Sequence, residues 1–373
     1  MTRVLYAQQL VTPFAAINHA ALLIEDGVIA ALGEREAVTV PEGTRSDDYG
    51  DAILAPGLVD IHVHGGAGVD AMDADPAALE TLRRHLARHG VTSFLATTVT
   101  APWPRILAAV ERLARAGLGI HLEGPFLSPQ RRGVHPPADL LLPTPARLDE
   151  LWQRSEGNLR LITIAPELEG APEFIAAATR LGIRVSLGHS DATLAQARTG
   201  IQAGAVHVTH TFNAMRPLHQ REPGLLGLAL ADPDLSAEII ADGLHVDPLL
   251  VAMFARLKAP GAAVLVSDGI SATGCGDGHY SLGGIPVTVC GQRCSSGDTL
   301  AGSVLTLDVA VKNLRQWSGS AWGPAMRAAS LNPADLLGWG KKGRLAVGAD
   351  ADLAVFSPQG EILASYTAGR LND

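Results

Sequence analysis

The sequence predicts an α/β fold: a (β/α)8, TIM-like barrel carrying a small β-sandwich domain built from both chain ends. Three observations lead there. From about residue 54, short apolar runs alternate with amphipathic stretches, the pattern of repeated βα units. Eight such runs fit within the roughly 250 residues usual for that barrel. The two ends of the chain instead carry short β-rich runs broken by Gly and Asp turns.

The elements follow in order. Strands are expected at 3–6, 20–25 and 28–32, with Asp26-Gly27 as a hairpin turn. The barrel strands are expected at 58–64, 91–97, 119–123, 161–165, 183–189, 206–211, 238–242 and 263–268. Between the first two, Asp75 suits a helix N-cap and Pro76 the first turn, Leu79, Leu82 and Leu86 share a face, and Gly90 stops the helix. Residues 343–371 return to short β-runs. The expected division is therefore 1–53 and 343–373 for the small domain and 54–342 for a catalytic barrel.

Composition excludes several classes. With 29 Lys+Arg against 38 Asp+Glu, a net charge of −9, the chain lacks the basic character of a nucleic-acid binder. At 47% hydrophobic and 18% charged it can bury a large core. No apolar run reaches the ~20 residues of a membrane span, and the start lacks a signal peptide, so a cytoplasmic location is expected. Cys275, Cys290 and Cys294 read as reduced thiols; a Cys290/Cys294 zinc clip lacks a second cysteine pair to complete it.

The chemistry lies at the strand ends. A period of two puts Asp60, His62 and His64 on one face of the first barrel strand. Glu123, His189, His210 and Asp268 each end an apolar strand, on the side where barrels assemble active sites. Imidazoles and carboxylates suit a borderline divalent metal, zinc first, with iron, manganese or cobalt also acceptable. Glu123, His189 and His210 could hold one ion, and His62 and His64 a second bridged by Glu123. Asp268 is then free as general base, although an Asp there also suits a helix N-cap.

A set of ordered strings resembles the N-acetylglucosamine-6-phosphate deacetylases, a branch of the amidohydrolase superfamily. They are Pro56-Gly-Leu-Val-Asp-Ile-His-Val-His-Gly65, His121-Leu-Glu-Gly-Pro-Phe126, Gly188-His-Ser190, Thr209-His-Thr-Phe-Asn-Ala-Met215, Arg221-Glu-Pro-Gly224, Ala241-Asp-Gly-Leu-His245, Leu300-Ala-Gly-Ser303, Asn332-Pro-Ala334 and the closing stretch 343–353. The resemblance implies removal of acetate from the 2-acetamido group of a 6-phosphosugar. It implies Glu123, His189 and His210 as metal ligands, Asp268 as acid/base, and Val134 and His135 as substrate contacts, His135 steadying the oxyanion. It also implies that Asn213, Ala214, Arg221, Asp242, His245, Leu300, Ala301 and Gly302 line the sugar and phosphate, with Arg221 reaching across a homodimer. Members that replace the first-strand histidines with amides use one metal; this chain keeps both. Read without the family, His135 and His245 also suit surface histidines, Asn213 a turn and Arg221 a solvated loop. His85, His89, His121, His207 and His219 are expected to be structural or solvent-facing.

Rival readings are weaker. A design built on a carboxylated lysine in the fourth strand is excluded, because Lys258, Lys312, Lys341 and Lys342 all lie outside residues 161–167. An N-acetylgalactosamine-6-phosphate deacetylase differs only at one sugar hydroxyl. A non-catalytic barrel would be expected to lose a ligand or Asp268.

Overall fold

The computed structural model describes residues 2–372. Eight parallel strands pair in sequential order: β1 (Leu58–Val63), β2 (Val91–Thr98), β3 (Gly119–Glu123), β4 (Leu159–Ile164), β5 (Arg184–Leu187), β6 (His207–Val208), β7 (Ser236–Ile239) and β8 (Ala263–Leu265). They are buried almost throughout, which is why they read as unbroken apolar runs rather than alternating ones. The barrel closes without a full ladder. Asp268 N–H donates to His62 O at 2.9 Å and His64 N–H donates to Gly269 O at 2.8 Å, carrying the chain after β8 onto the end of β1.

The first barrel helix, Pro76–Arg88, follows its sequence signals. Asp75 Oδ1 accepts from Ala78 N–H at 2.8 Å, Leu79, Leu82 and Leu86 face the core, and Gly90 adopts φ 77° beyond the end. Each of those leucines contributes roughly 1.5–3 kcal/mol by leaving water.

Both chain ends form one sheet. Its order is Arg370–Leu371, Ile362–Thr367, Leu353–Phe356, Ile53–Pro56, Thr2–Val11, Ala16–Glu25, Val28–Glu34, with Arg45–Asp48 pairing beside Thr2–Val11. Leu5, Leu10, Leu22, Ile24, Leu54, Leu353 and Tyr366 form its core. A division at 53/54 cuts through the strand Ile53–Pro56, which pairs with Leu353–Phe356 and so belongs to this sheet.

Two features depart from the sequence expectation. The ladders of β5, β6, β7 and β8 stop before the strands expected from apolar runs, so His189, His210 and Asp268 stand just past the ladders. After β8 comes a four-stranded antiparallel sheet, Gly278–Leu282, Ile285–Cys290, Arg293–Ser296 and Thr299–Leu300. Its signals are Gly283-Gly284 and Gly291 at the turns and alternating burial along Ile285–Cys290. Cys275, Cys290 and Cys294 are free thiols. Among the described residues no helix is long and apolar enough to cross a membrane.

Candidate active site

The carboxyl ends of β1, β3, β5, β6 and β8 bring six titratable side chains together. His189, His210 and Asp268 take positive φ, 46°, 26° and 49°. This left-handed turn ends each ladder as the chain leaves the barrel. Two trios result, His62, His64 and Asp268, and Glu123, His189 and His210, the donor atoms of each lying within 4.8 Å of one another.

Glu123 stands between the trios. Its Oε1 lies 3.3 Å from His189 Nε2, 3.1 Å from His210 Nε2 and 3.3 Å from His62 Nε2, while Oε2 lies 3.3 Å from His64 Nε2. His64 Nε2 is also 3.2 Å from Asp268 Oδ1. His189 donates its Nδ1–H to Arg131 O at 2.9 Å, which turns its Nε2 lone pair toward His210 Nε2, 3.0 Å away. Two imidazole nitrogens and a carboxylate oxygen converging this closely could hold a cation among them. A tetrahedral zinc with Zn–N of 2.0–2.1 Å would space its ligands by about 3.3 Å, so the donor set fits such an ion.

The charges of the trios are interlocked. Burial opposes the charged form of His62, but Glu123, Glu238 and Asp268 outweigh it and hold its pKa well above the ordinary value. Burial likewise opposes charge on His64, yet hydrogen bonds to Asp268 and Glu123 push it up to about 9. Burial raises Asp268, and the charges of His62 and His64 more than reverse this, so its carboxyl is held below the usual range.

Beneath the trios lies a polar layer that sequence reasoning left unassigned. Glu238 of β7 is fully buried and accepts from His62 Nδ1–H at 3.0 Å, His207 Nε2–H at 3.1 Å and His210 N–H at 3.1 Å. His121 and His207, expected to be structural, are both buried there, His121 hydrogen-bonded to Thr163 Oγ1 at 2.8 Å. Strand periodicity offers one signal for Glu238, a charged residue opening an otherwise apolar run.

Above the trios is a cavity of about 370 Å³. Val134, His135, Asn213, Ala214, His245, Leu300 and Gly302 line it, as do Gln130, Arg131, Leu282 and Thr299, which sequence reasoning missed. His135 is locked by Thr100, whose backbone N–H donates to His135 Nδ1 at 3.2 Å; the ring's proton therefore sits on Nε2, 3.7 Å from Glu123 Oε2. Burial and the neighbouring His189 hold its pKa well below normal, so it is a neutral donor facing the cavity. Asp242 does not line the cavity but aims His245 into it, accepting from His245 Nδ1–H at 2.7 Å and His245 N–H at 2.8 Å. Ala301 is buried behind the wall, and Gly302 packs so closely on Asp268 that a Cβ there would stand 3.0 Å from Asp268 O. Arg221 is exposed on its loop and does not reach this chain's cavity.

Comparison with known proteins agrees with this architecture. The chain is 42% identical over 349 residues to an N-acetylgalactosamine-6-phosphate deacetylase of Escherichia coli O157:H7, covering 91% of this chain and 90% of the relative. It is 37% identical over 377 residues to the N-acetylglucosamine-6-phosphate deacetylase of Bacillus subtilis (strain 168), covering 97% and 95%. A mutant of the N-acetyl-D-glucosamine-6-phosphate deacetylase of Mycobacterium smegmatis, solved in complex with N-acetyl-D-glucosamine-6-phosphate, superposes with a TM-score of 0.94 at 34% identity over 99% of each chain. The model of the amidohydrolase family matches residues 53–371, from the strand that joins the small sheet to the barrel through to the final hairpin. The chain belongs to the amidohydrolase family.

Proposed function

We propose that this enzyme hydrolyses the acetamide of N-acetylglucosamine 6-phosphate to glucosamine 6-phosphate and acetate. The observation that carries the reading is a cavity in which a neutral donor, His135, and an ionised carboxylate, Asp268, face one convergent donor set. Glu123, His189 and His210 would hold one divalent ion, zinc in the first instance, and His62 and His64 would hold a second with Glu123 shared between them. When bound, such an ion acts as a Lewis acid, lowering the pKa of a water toward ~7 and polarising the substrate carbonyl.

The chain's own groups supply the proton transfers. Asp268 takes the proton from the attacking water as the C–O bond forms. It returns that proton to the amide nitrogen as the C–N bond breaks, so the amine leaves neutral. His135 donates Nε2–H to the carbonyl oxygen as charge develops there. Asn213, Ala214, Val134 and the 300–302 segment surround the sugar. His245, whose protonated form is favoured by its hydrogen bond to Asp242 against the cost of burial, suits the 6-phosphate. Arg221, exposed and not lining its own cavity, serves the site of a second copy in a homodimer. The three free thiols are in keeping with the reducing cytoplasm.

A second reading, N-acetylgalactosamine 6-phosphate as substrate, is favoured by the 42% identity to the Escherichia coli relative. Acetate release from each epimer, measured with zinc-loaded and chelator-stripped protein, tests both. Release should need metal and return when zinc is restored. The preferred epimer is the one with the higher kcat/KM, and release from neither refutes the activity.

A further inference from the structure

Glu238 has no solvent exposure and does not line the cavity, so it cannot touch substrate. A buried carboxylate is costly unless donors meet its charge. Here they come from β1, from β6 and from the turn after β6: His62 Nδ1–H, His207 Nε2–H and His210 N–H, at 3.0, 3.1 and 3.1 Å. The same oxygen, Oε2, accepts from His62 and from His210, one member of each donor trio. A histidine that donates from Nδ1 presents a lone pair at Nε2. Among the described residues His62 Nε2 is buried without a hydrogen-bond partner, 3.3 Å from Glu123 Oε1 and 3.7 Å from Asp268 Oδ1. The other groups around that ring are the imidazoles of His121, His64 and His210, with centroids 4.6, 5.2 and 5.7 Å away. Among the described residues, the hydrogen bond at His62 Nδ1 is the one to Glu238.

Building on the reading that His62 and His64 hold a second ion with Glu123 shared, we propose that Glu238 is a positioning residue that fixes His62 as an Nε2 ligand and ties it to the His210 turn, so that binding of the second ion depends on it. A carboxylate behind a ligating imidazole fixes its tautomer and raises its basicity, typically worth 10- to 100-fold in metal affinity. His207 holds the carboxylate from the far side, its own Nδ1 hydrogen-bonded to Ser236 Oγ at 2.8 Å.

Zinc titration of metal-free protein, followed by calorimetry and elemental analysis, tests this. The wild type should show two classes of zinc site, one of which His62→Asn removes. In Glu238→Gln that class should weaken about 10- to 100-fold and the other, tied to Glu238 only through the His210 backbone N–H, by less. In the His62→Asn background Glu238→Gln should add nothing, because the residue through which it acts is gone. A merely structural Glu238 would lower the melting temperature of Glu238→Gln and leave both zinc affinities as in the wild type, which would overturn the proposal and leave the two-ion reading standing. A wild type that never takes up a second equivalent would overturn both. Should Glu238→Gln not fold, nitrogen-15 spectra of the zinc-loaded wild type decide the matter: the His62 proton is expected on Nδ1, and a proton on Nε2 refutes the assignment.

Discussion

The floor and the rim of the cavity are built by different rules. The floor comes from strand ends: Glu123, His62, His64, His189, His210 and Asp268 are all buried, and each is held by the geometry of a parallel ladder or the turn that ends it. The rim comes from loops and the inserted antiparallel sheet: Asn213 and Leu300 are partly exposed, and Arg221 lies on the surface. His135 is the exception, a loop residue as buried as the floor and pinned by Thr100. On the proposed reading, the difference puts the bond-breaking chemistry on the rigid scaffold and recognition of the sugar phosphate on the parts that vary more freely.

The sharpest way to break that division is at Asp268. Asp268→Asn should lower turnover by about 10² to 10⁴ with substrate affinity and the ion at Glu123, His189 and His210 retained; near-normal turnover would remove Asp268 from the reaction. His135→Gln should lower kcat by about 10² to 10³ with little change in KM, behaving as floor although it sits on a loop. An effect confined to KM would return it to the rim. Arg221→Ala should act in the opposite sense, raising KM by roughly 10- to 100-fold, as for one lost charge-assisted hydrogen bond, with kcat little changed. Mixed dimers of Arg221→Ala and Asp268→Asn subunits should regain activity through one intact site. No recovery in verified mixed dimers would place Arg221 in its own subunit's site.

The smallest effect separates the two trios. In metal-free protein the His64 pKa is raised to about 9, so below that pH a proton occupies the nitrogen an ion would take. Because His62 is likewise held protonated, affinity for zinc at the His62 and His64 site should fall by at least about tenfold for each unit of pH lowered below that value. Above it, this term vanishes. Calorimetry across pH 6 to 10, with buffers of different ionisation enthalpy, would count the proton released.

The floor is readable in the sequence because strand periodicity and strand ends determine where side chains point; the period of two by itself sets Asp60, His62 and His64 on one face. Glu238 escapes such a reading because its significance depends on partners in β1 and β6 that no local pattern reveals. The insert at 278–300 escapes because its strands interrupt the βα alternation on which the barrel expectation rests. Arg131 resembles an ordinary loop cation in the sequence, and only the fold shows its carbonyl holding His189 and its side chain, ion-paired to Asp191 at 2.8 Å, on the cavity wall.

The left-handed turns at His189, His210 and Asp268 set stability against catalysis. A side chain with a Cβ in that conformation costs on the order of 1–3 kcal/mol per position, and glycine would remove most of that cost. At these three positions the residue that best suits the backbone is the one that would remove a side chain from the donor trios. Metal-free His189→Gly protein should therefore unfold at higher temperature than the metal-free wild type while being inactive, as differential scanning calorimetry would show, whereas Asp268→Gly would also lose the carboxylate that meets the charge of His62 and His64. Selection for robustness alone would erode this site first, so histidine and aspartate at those turns mark a chain kept for its reaction at the expense of its rigidity.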